Sequence, residues 1–251
     1  MDADKTDLTQ AIQQAQHEHS RVQGQSNGDT IANPTTPGDF SSKDLEPEEN
    51  TNLELGGRIS FFNEALQLQG AVFQTKKDNA KLFGSDGLLD VTSGDAQEIT
   101  GVEIGIAGAI TPEWSINANA TFLDTEVTDS TTTYTPFGAT TAISVVGNSI
   151  AFTPEQAASL WTTYNFTGPF AGLEIGGGLT YQGEVYLNTS NISTIPSYTT
   201  VDGFVSYGWD RFRVSVNGYN LSDELYFAQI HGNRVTPGQG RTFIATLGVV
   251  Y

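Results

Sequence analysis

From Leu53 to the end of the chain, apolar and polar residues alternate almost one for one. Leu53, Leu55, Ile59 and Phe61 fall on one side of a zigzag, with Glu54, Arg58 and Ser60 on the other. Successive side chains of a β-strand point to opposite faces, so this period of two predicts a strand with one apolar and one polar face. The pattern returns in Leu66, Leu68, Gly70 and Val72 against Gln67, Gln69 and Thr75, and in Val102, Ile104, Ile106 and Ile110 against Gln97 and Glu103. Trp114, Ile116, Ala118, Ala120 and Phe122 then oppose Ser115, Asn117, Asn119 and Thr121. It continues through 158–166, 173–185, 201–207 and 212–216. It closes with Phe243, Ala245, Leu247, Val249 and Tyr251 against Ile244, Thr246, Gly248 and Val250. About nine antiparallel strands are predicted, with no convincing helix after residue 50.

A soluble β-sandwich would also show one apolar and one polar face. Two features point instead to a transmembrane β-barrel. Short turns at 63–65, 111–113, 167–170 and 208–210 alternate with long loops at 79–96, 129–149, 188–197 and 222–240. All short connections therefore lie at one end of the sheet and all long ones at the other, the asymmetry of outer-membrane barrels. Aromatic residues also collect beside the short turns: Phe61, Phe62, Trp114, Phe166, Phe170, Trp209, Phe212 and Tyr251. Rings with one apolar and one wet side suit a membrane interface, and we expect them to form an aromatic girdle. The strands are about ten residues or longer, as a tilted crossing requires. The opposite face, rich in Gln, Asn, Ser, Thr and Glu, suits a hydrated or plugged lumen. An odd strand number leaves the first strand without a partner before it, so the sheet is expected to be the last part of a larger barrel.

Residues 1–50 break the pattern. Leu8, Ile12 and Ala15 have weak helical spacing, after which Gln, Asn, Gly, Pro and Thr dominate. A disordered or weakly helical tail is expected there, with 51–251 as the folded part. His17 and His19 are read as a polar helix surface, not as a metal site. No signal peptide is visible after Met1. The absence of Cys excludes a disulfide scaffold and a thiolate metal centre. A formal charge of −18 argues against a nucleic-acid partner, whose phosphates require Lys and Arg. The acidity fits a solvated surface, a cation-attracting field or loops exposed to the medium.

Five stretches carry a family resemblance. LEPEENTNLELGGR at 45–58, GVEIGIAGAITPEWSINANATFLDTEV at 101–127, FTPEQAASLWTTYNF at 152–166, NLSDELYF at 220–227 and PGQGRTFIATLGVVY at 237–251 follow in order and spacing. Together they resemble the C-terminal part of the TonB-dependent outer-membrane receptors, active transporters of ferric siderophores. AVFQTKKDNAK at 71–81 is similar to receptors for catecholate siderophores. The chain ends on Tyr251 where the family usually ends on Phe.

The resemblance implies a Gram-negative outer-membrane location and a ferric siderophore or similar chelate as ligand. It also implies contact with outer-membrane lipid and coupling to the TonB complex through a plug that residues 1–50 do not resemble. Phe243, Leu247, Val249 and Tyr251 would then be the C-terminal signal read by the barrel assembly machinery. Such a barrel needs about 22 strands, so a fragment that does not transport alone is expected. Tyr134, Phe137, His231 and Arg234 lie on predicted external loops and are candidates to touch an anionic aromatic chelate, the alternative being that they only order the loops. No nucleophile elbow, phosphate loop or His/Cys metal cluster is present in the sequence, so no enzyme activity and no cofactor are expected. The readings from other classes are a self-contained small barrel acting as a passive pore or adhesin, and a soluble β-rich interaction domain.

Overall fold

The computed structural model describes residues 47–82, 92–231 and 234–249. Residues 1–46 of the predicted tail, with His17 and His19, and the terminal Tyr251 lie outside these residues, while Glu49 and Asn50, placed in the tail from the sequence, begin the first strand. Nine strands form one sheet: β1 (Glu49–Phe61), β2 (Leu66–Leu82), β3 (Thr92–Ala109), β4 (Trp114–Asp129), β5 (Gln156–Asn165), β6 (Leu173–Gln182), β7 (Tyr198–Trp209), β8 (Phe212–Tyr219) and β9 (Thr242–Val249). Each pairs antiparallel with the next in the chain, so the topology is an unbroken meander.

The register joins the sequence stripes into one surface. Leu55 pairs with Val72, Val72 with Val102 and Val102 with Phe122. Farther along, Leu160 pairs with Leu179, Leu179 with Val201, Val205 with Val216 and Val214 with Leu247. A slip of one residue at any interface would turn a strand's apolar set to the other side. None occurs across the apolar stretch. Among the described residues no second layer covers it: Leu53 and Leu55 are each 69% exposed, and Leu247 is 65% exposed.

The apolar stripe has defined limits. At the short-turn end it begins with Phe61 and Leu66; on the same face of β2, β3 and β4 the first charges toward the other end are Lys76, Glu98 and Asp124. From Leu66 to Lys76, a rise of ~3.3 Å per residue and a tilt of ~40° give a band of ~25 Å, the height of a barrel's lipid-facing belt. Aromatic residues close its lower edge. Tyr164 meets Phe166 edge-on at 4.9 Å, and Trp209 stacks on both Tyr207 and Phe212 at 5.8 Å. Trp114 Nε1 donates to Thr162 Oγ1 at 2.7 Å, which holds its ring against the wall.

Two features differ from the sequence expectation. The stretches at 79–82 and 92–96, read as loop because they are polar, continue β2 and β3. Above the apolar band both faces of a strand meet water, so polarity there does not report a loop. The polar face also carries rings. Trp161 and Phe204 stack at 6.0 Å and lie over Gly178 and Gly176, where a Cβ would meet ring carbons at 2.7 and 2.3 Å. Glycine in the neighbouring strand is what gives each ring its space.

Candidate ligand-binding mouth

The long connections do not hang loose from this sheet. Five of the seven buried apolar side chains among the described residues, Val127, Val145, Ile150, Val185 and Ile195, lie at the long-loop end. The connection 130–155 contains a small ladder pairing Thr133–Tyr134 with Ile143–Ser144, and the connection 183–197 another, pairing Val185–Tyr186 with Thr194–Ile195. Residues 145–150 fold back onto the top of β4. Val127 N–H donates to Asn148 O at 2.9 Å, Gly147 N–H to Val127 O at 2.9 Å, and Ile150 N–H to Thr125 Oγ1 at 3.2 Å.

Two asparagines latch the connections together. Asn148 Nδ2 donates to Thr189 O at 2.7 Å. Asn191, in a left-handed conformation, accepts from Ser149 N–H at 2.7 Å and donates to Ser149 O at 3.0 Å. The amide thus mimics a strand partner for one residue of the opposite loop. Phe152 N–H adds a bond to Tyr186 O at 2.8 Å. The two connections form a single structured apex.

The third described connection, 220–241, is pinned by Asn220. Its backbone N–H donates to Asp202 Oδ1 at 2.7 Å, while its side-chain amide donates to Glu224 O and Gln239 O and accepts from Glu224 N–H. Arg241 pairs with Asp223 at 3.3 Å. Tyr226 leans onto Tyr198 at 4.6 Å between ring centroids, and the Tyr198 hydroxyl donates to Gln182 Oε1 at 3.2 Å. Burial, then the neighbouring Tyr226, pushes the Tyr198 hydroxyl above its ordinary pKa. Gln182 and Tyr198 are cross-strand partners at the loop ends of β6 and β7, on the polar face.

The sequence candidates fall on these connections. Tyr134 sits in the first small ladder, half-buried, and Phe137 stands fully exposed at its tip. Arg234 is exposed in the ladder of Phe227–His231 with Arg234–Pro237. His231 is in that ladder, but its side chain lies outside the described residues. Tyr134 and Phe137 therefore share one connection and Arg234 belongs to another. The latch residues Asn148, Asn191 and Asn220 escaped sequence reasoning. Asn148 and Asn191 each stand beside a Ser in a loop stretch, which predicts a turn and no partner, and Asn220 opens the NLSDELYF stretch, which likewise names no partner.

A buried carboxyl marks the top of β3. Asp95 is buried, and its Oδ2 has no hydrogen-bond partner among the described residues. Burial raises its pKa most; the Ser130 hydroxyl opposes this and the Asp129 charge adds to it. No group of three or more His, Cys, Asp or Glu residues able to hold a metal occurs among the described residues.

The family model for the TonB dependent receptor-like β-barrel matches residues 10–221. The chain belongs to the TonB-dependent receptor β-barrel family. Barrels of this receptor family, which are not enzymes, sit in the Gram-negative outer membrane. The chain is 31% identical over 209 residues to the probable TonB-dependent siderophore receptor PiuA of Acinetobacter baumannii, covering 82% of this chain and 28% of that protein. It is 30% identical over 177 residues to the ferrichrome outer membrane transporter/phage receptor of Escherichia coli K12, covering 70% of this chain and 22% of the relative. The crystal structure of PiuA superposes with a TM-score of 0.71 at 30% identity, over 82% of this chain and 29% of that one. The catecholate import receptor Fiu of E. coli K12 shares the fold with a TM-score of 0.69 at 24% identity, over 89% of this chain and 30% of that one. The chain thus spans less than a third of the length of these relatives. In a TonB-dependent barrel the short turns are periplasmic and the long loops external.

Proposed function

We propose that this chain is the C-terminal part of the barrel wall, with its external loops, of an outer-membrane active transporter for ferric siderophores. The observation that carries this reading is the structured apex on the long-loop end of a sheet whose outer face is apolar. Tyr134, Phe137, His231 and Arg234 are the proposed ligand contacts on the external loops. Phe61, Trp114, Phe166, Phe170, Trp209, Phe212 and Tyr251 form the aromatic girdle, with lipid against the band above them. Phe243, Leu247, Val249 and Tyr251 serve the barrel assembly machinery. The wall of residues 51–251 captures and admits ligand, while energy from the TonB complex acts through a plug that residues 1–50 do not resemble. The chain therefore does not transport alone.

The test is iron uptake. Iron-starved cells lacking the gene should lose uptake of at least one radiolabelled ferric siderophore and regain it from the native gene. The same gene without codons 130–149 should restore the barrel to the membrane but not the uptake. Normal uptake of every siderophore in the deletion strain would reject the proposal. Full uptake in cells expressing only these 251 residues would reject the part that says the chain is incompetent by itself.

A further inference from the structure

The charge at the mouth is one-sided. No Lys, Arg or His occurs between Lys81 and Arg211, and that interval holds fourteen Asp and Glu residues. Of these, Glu113, Glu174 and Asp210 belong to the short-turn end, Glu98, Asp124 and Glu126 to the outer face, and Asp86 and Asp90 lie outside the described residues. The interval supplies β3 to β7 and both connections of the apex. Asp129, Glu155 and Glu184 lie at the loop ends of strands or in the connections, and Glu103 and Asp202 lie on the polar face below. Described bases toward this end are mostly engaged: Lys76 with Glu98 at 3.2 Å, Lys77 with Glu48 at 3.3 Å and Arg241 with Asp223 at 3.3 Å. Arg234 forms no ion pair with a described residue, and the side chains of Lys81 and His231 lie outside the described residues. Arg58, Arg211 and Arg213 belong to the short-turn end.

Rings stand in the same region: Tyr134, Phe137, Tyr186 and the Tyr198–Tyr226 pair. A ring face attracts cations. A cleft lined by one sign of charge also focuses its field, concentrates ligands of the opposite sign and raises their association rates by about 10- to 1,000-fold. An anionic chelate would approach against that field and find few donors.

Chelate chemistry divides along this line. Three hydroxamates cancel the ferric charge, so a trihydroxamate bearing a protonated amine is a cation, whereas three catecholates overshoot it and leave a trianion. We propose that the mouth selects a ferric chelate of net positive charge, of the amine-bearing hydroxamate class, over anionic tris-catecholate complexes. The inference rests on the transport reading above and names the substrate class within it. It also replaces the anionic chelate expected from the sequence, because Arg234 is outnumbered by the carboxylates of the apex.

The experiment measures initial iron uptake in cells that lack other ferric-chelate receptors and express the protein from its native gene. The probes are an amine-bearing linear trihydroxamate, a neutral cyclic trihydroxamate and a tris-catecholate, each loaded with radiolabelled iron. Rates should fall in that order. The advantage of the cation should shrink as ionic strength rises, since the screening length falls from ~30 Å at 0.01 M to ~8 Å at 0.15 M. Glu184→Lys, normalised to protein at the cell surface, should lower the rate for the cationic chelate about two- to fourfold and raise that for the anion. A fastest rate for the tris-catecholate, or an order unmoved by both salt and Glu184→Lys, overturns the inference and leaves transport standing. Uptake of none of the three above receptor-less cells overturns both.

Discussion

Leu160 and Ser159 are adjacent in β5 and lie on opposite faces of the sheet. Leu160 pairs with Ala118 and Leu179, both apolar, while Ser159 pairs with Asn119 and Thr180. Leu160 is four residues from Tyr164, one of the rings at the short-turn end. At ~3.3 Å per residue and a tilt of ~40°, it lies ~10 Å into an apolar band of ~25 Å, near the bilayer midplane. A Lys at that depth costs about 2–4 kcal/mol. At ~3 kcal/mol, Leu160→Lys lowers the folding equilibrium constant roughly 150-fold. Ser159→Lys places the same charge in water on the lumen side and should change stability by no more than about 0.5 kcal/mol. The assay is guanidinium unfolding of the native gene product reconstituted in lipid vesicles, followed by fluorescence of its Trp residues. If Ser159→Lys were as destabilising as Leu160→Lys, the assignment of lipid and lumen faces would be wrong.

Three further outcomes are expected. Gly178→Ala puts a Cβ 2.1 Å from Leu160 O and 2.7 Å from the Trp161 ring, and overpacking of this kind costs about 1–3 kcal/mol; Gly57→Ala, with nothing within 4 Å, serves as the neutral control in the same unfolding assay. Asn191→Ala removes both bonds to Ser149 and leaves partly buried backbone groups unpaired, at about 0.5–1.5 kcal/mol for each bond lost; amide exchange at residues 145–150 should accelerate while exchange in β2 and β3 stays unchanged. Because burial raises the Asp95 pKa above its ordinary value of 3.8, the folded protein binds more protons than the unfolded chain between that value and the raised one. Stability should therefore fall as pH rises through this window. Asp95→Asn should remove that slope and stabilise the protein at neutral pH, and equal slopes for both proteins in pH-dependent melting would refute the assignment.

The sequence by itself determined the strands, their faces and the ends at which the connections lie. In a barrel wall one face meets lipid and the other water, so each position in the band is constrained by what it touches, and the constraint repeats with the pleat. Leu66, Leu68 and Val72 could be assigned to a face before any partner strand was known. The family was legible for the same reason, since its stretches are wall segments and turns. Tertiary structure decided what the alternation does not encode. The extension of β2 to Leu82 and of β3 back to Thr92 lies above the band, where water on both faces removes the pattern. Trp161 and Phe204 sit on the polar face because Gly178 and Gly176 of β6 make room for them, a relation between strands that no one strand shows. The apex depends on Asn191 reaching Ser149 and on Asn220 meeting Asp202, pairs far apart in the chain. A side-chain amide that satisfies another loop's backbone leaves no period in the sequence, because its partner is chosen by the fold.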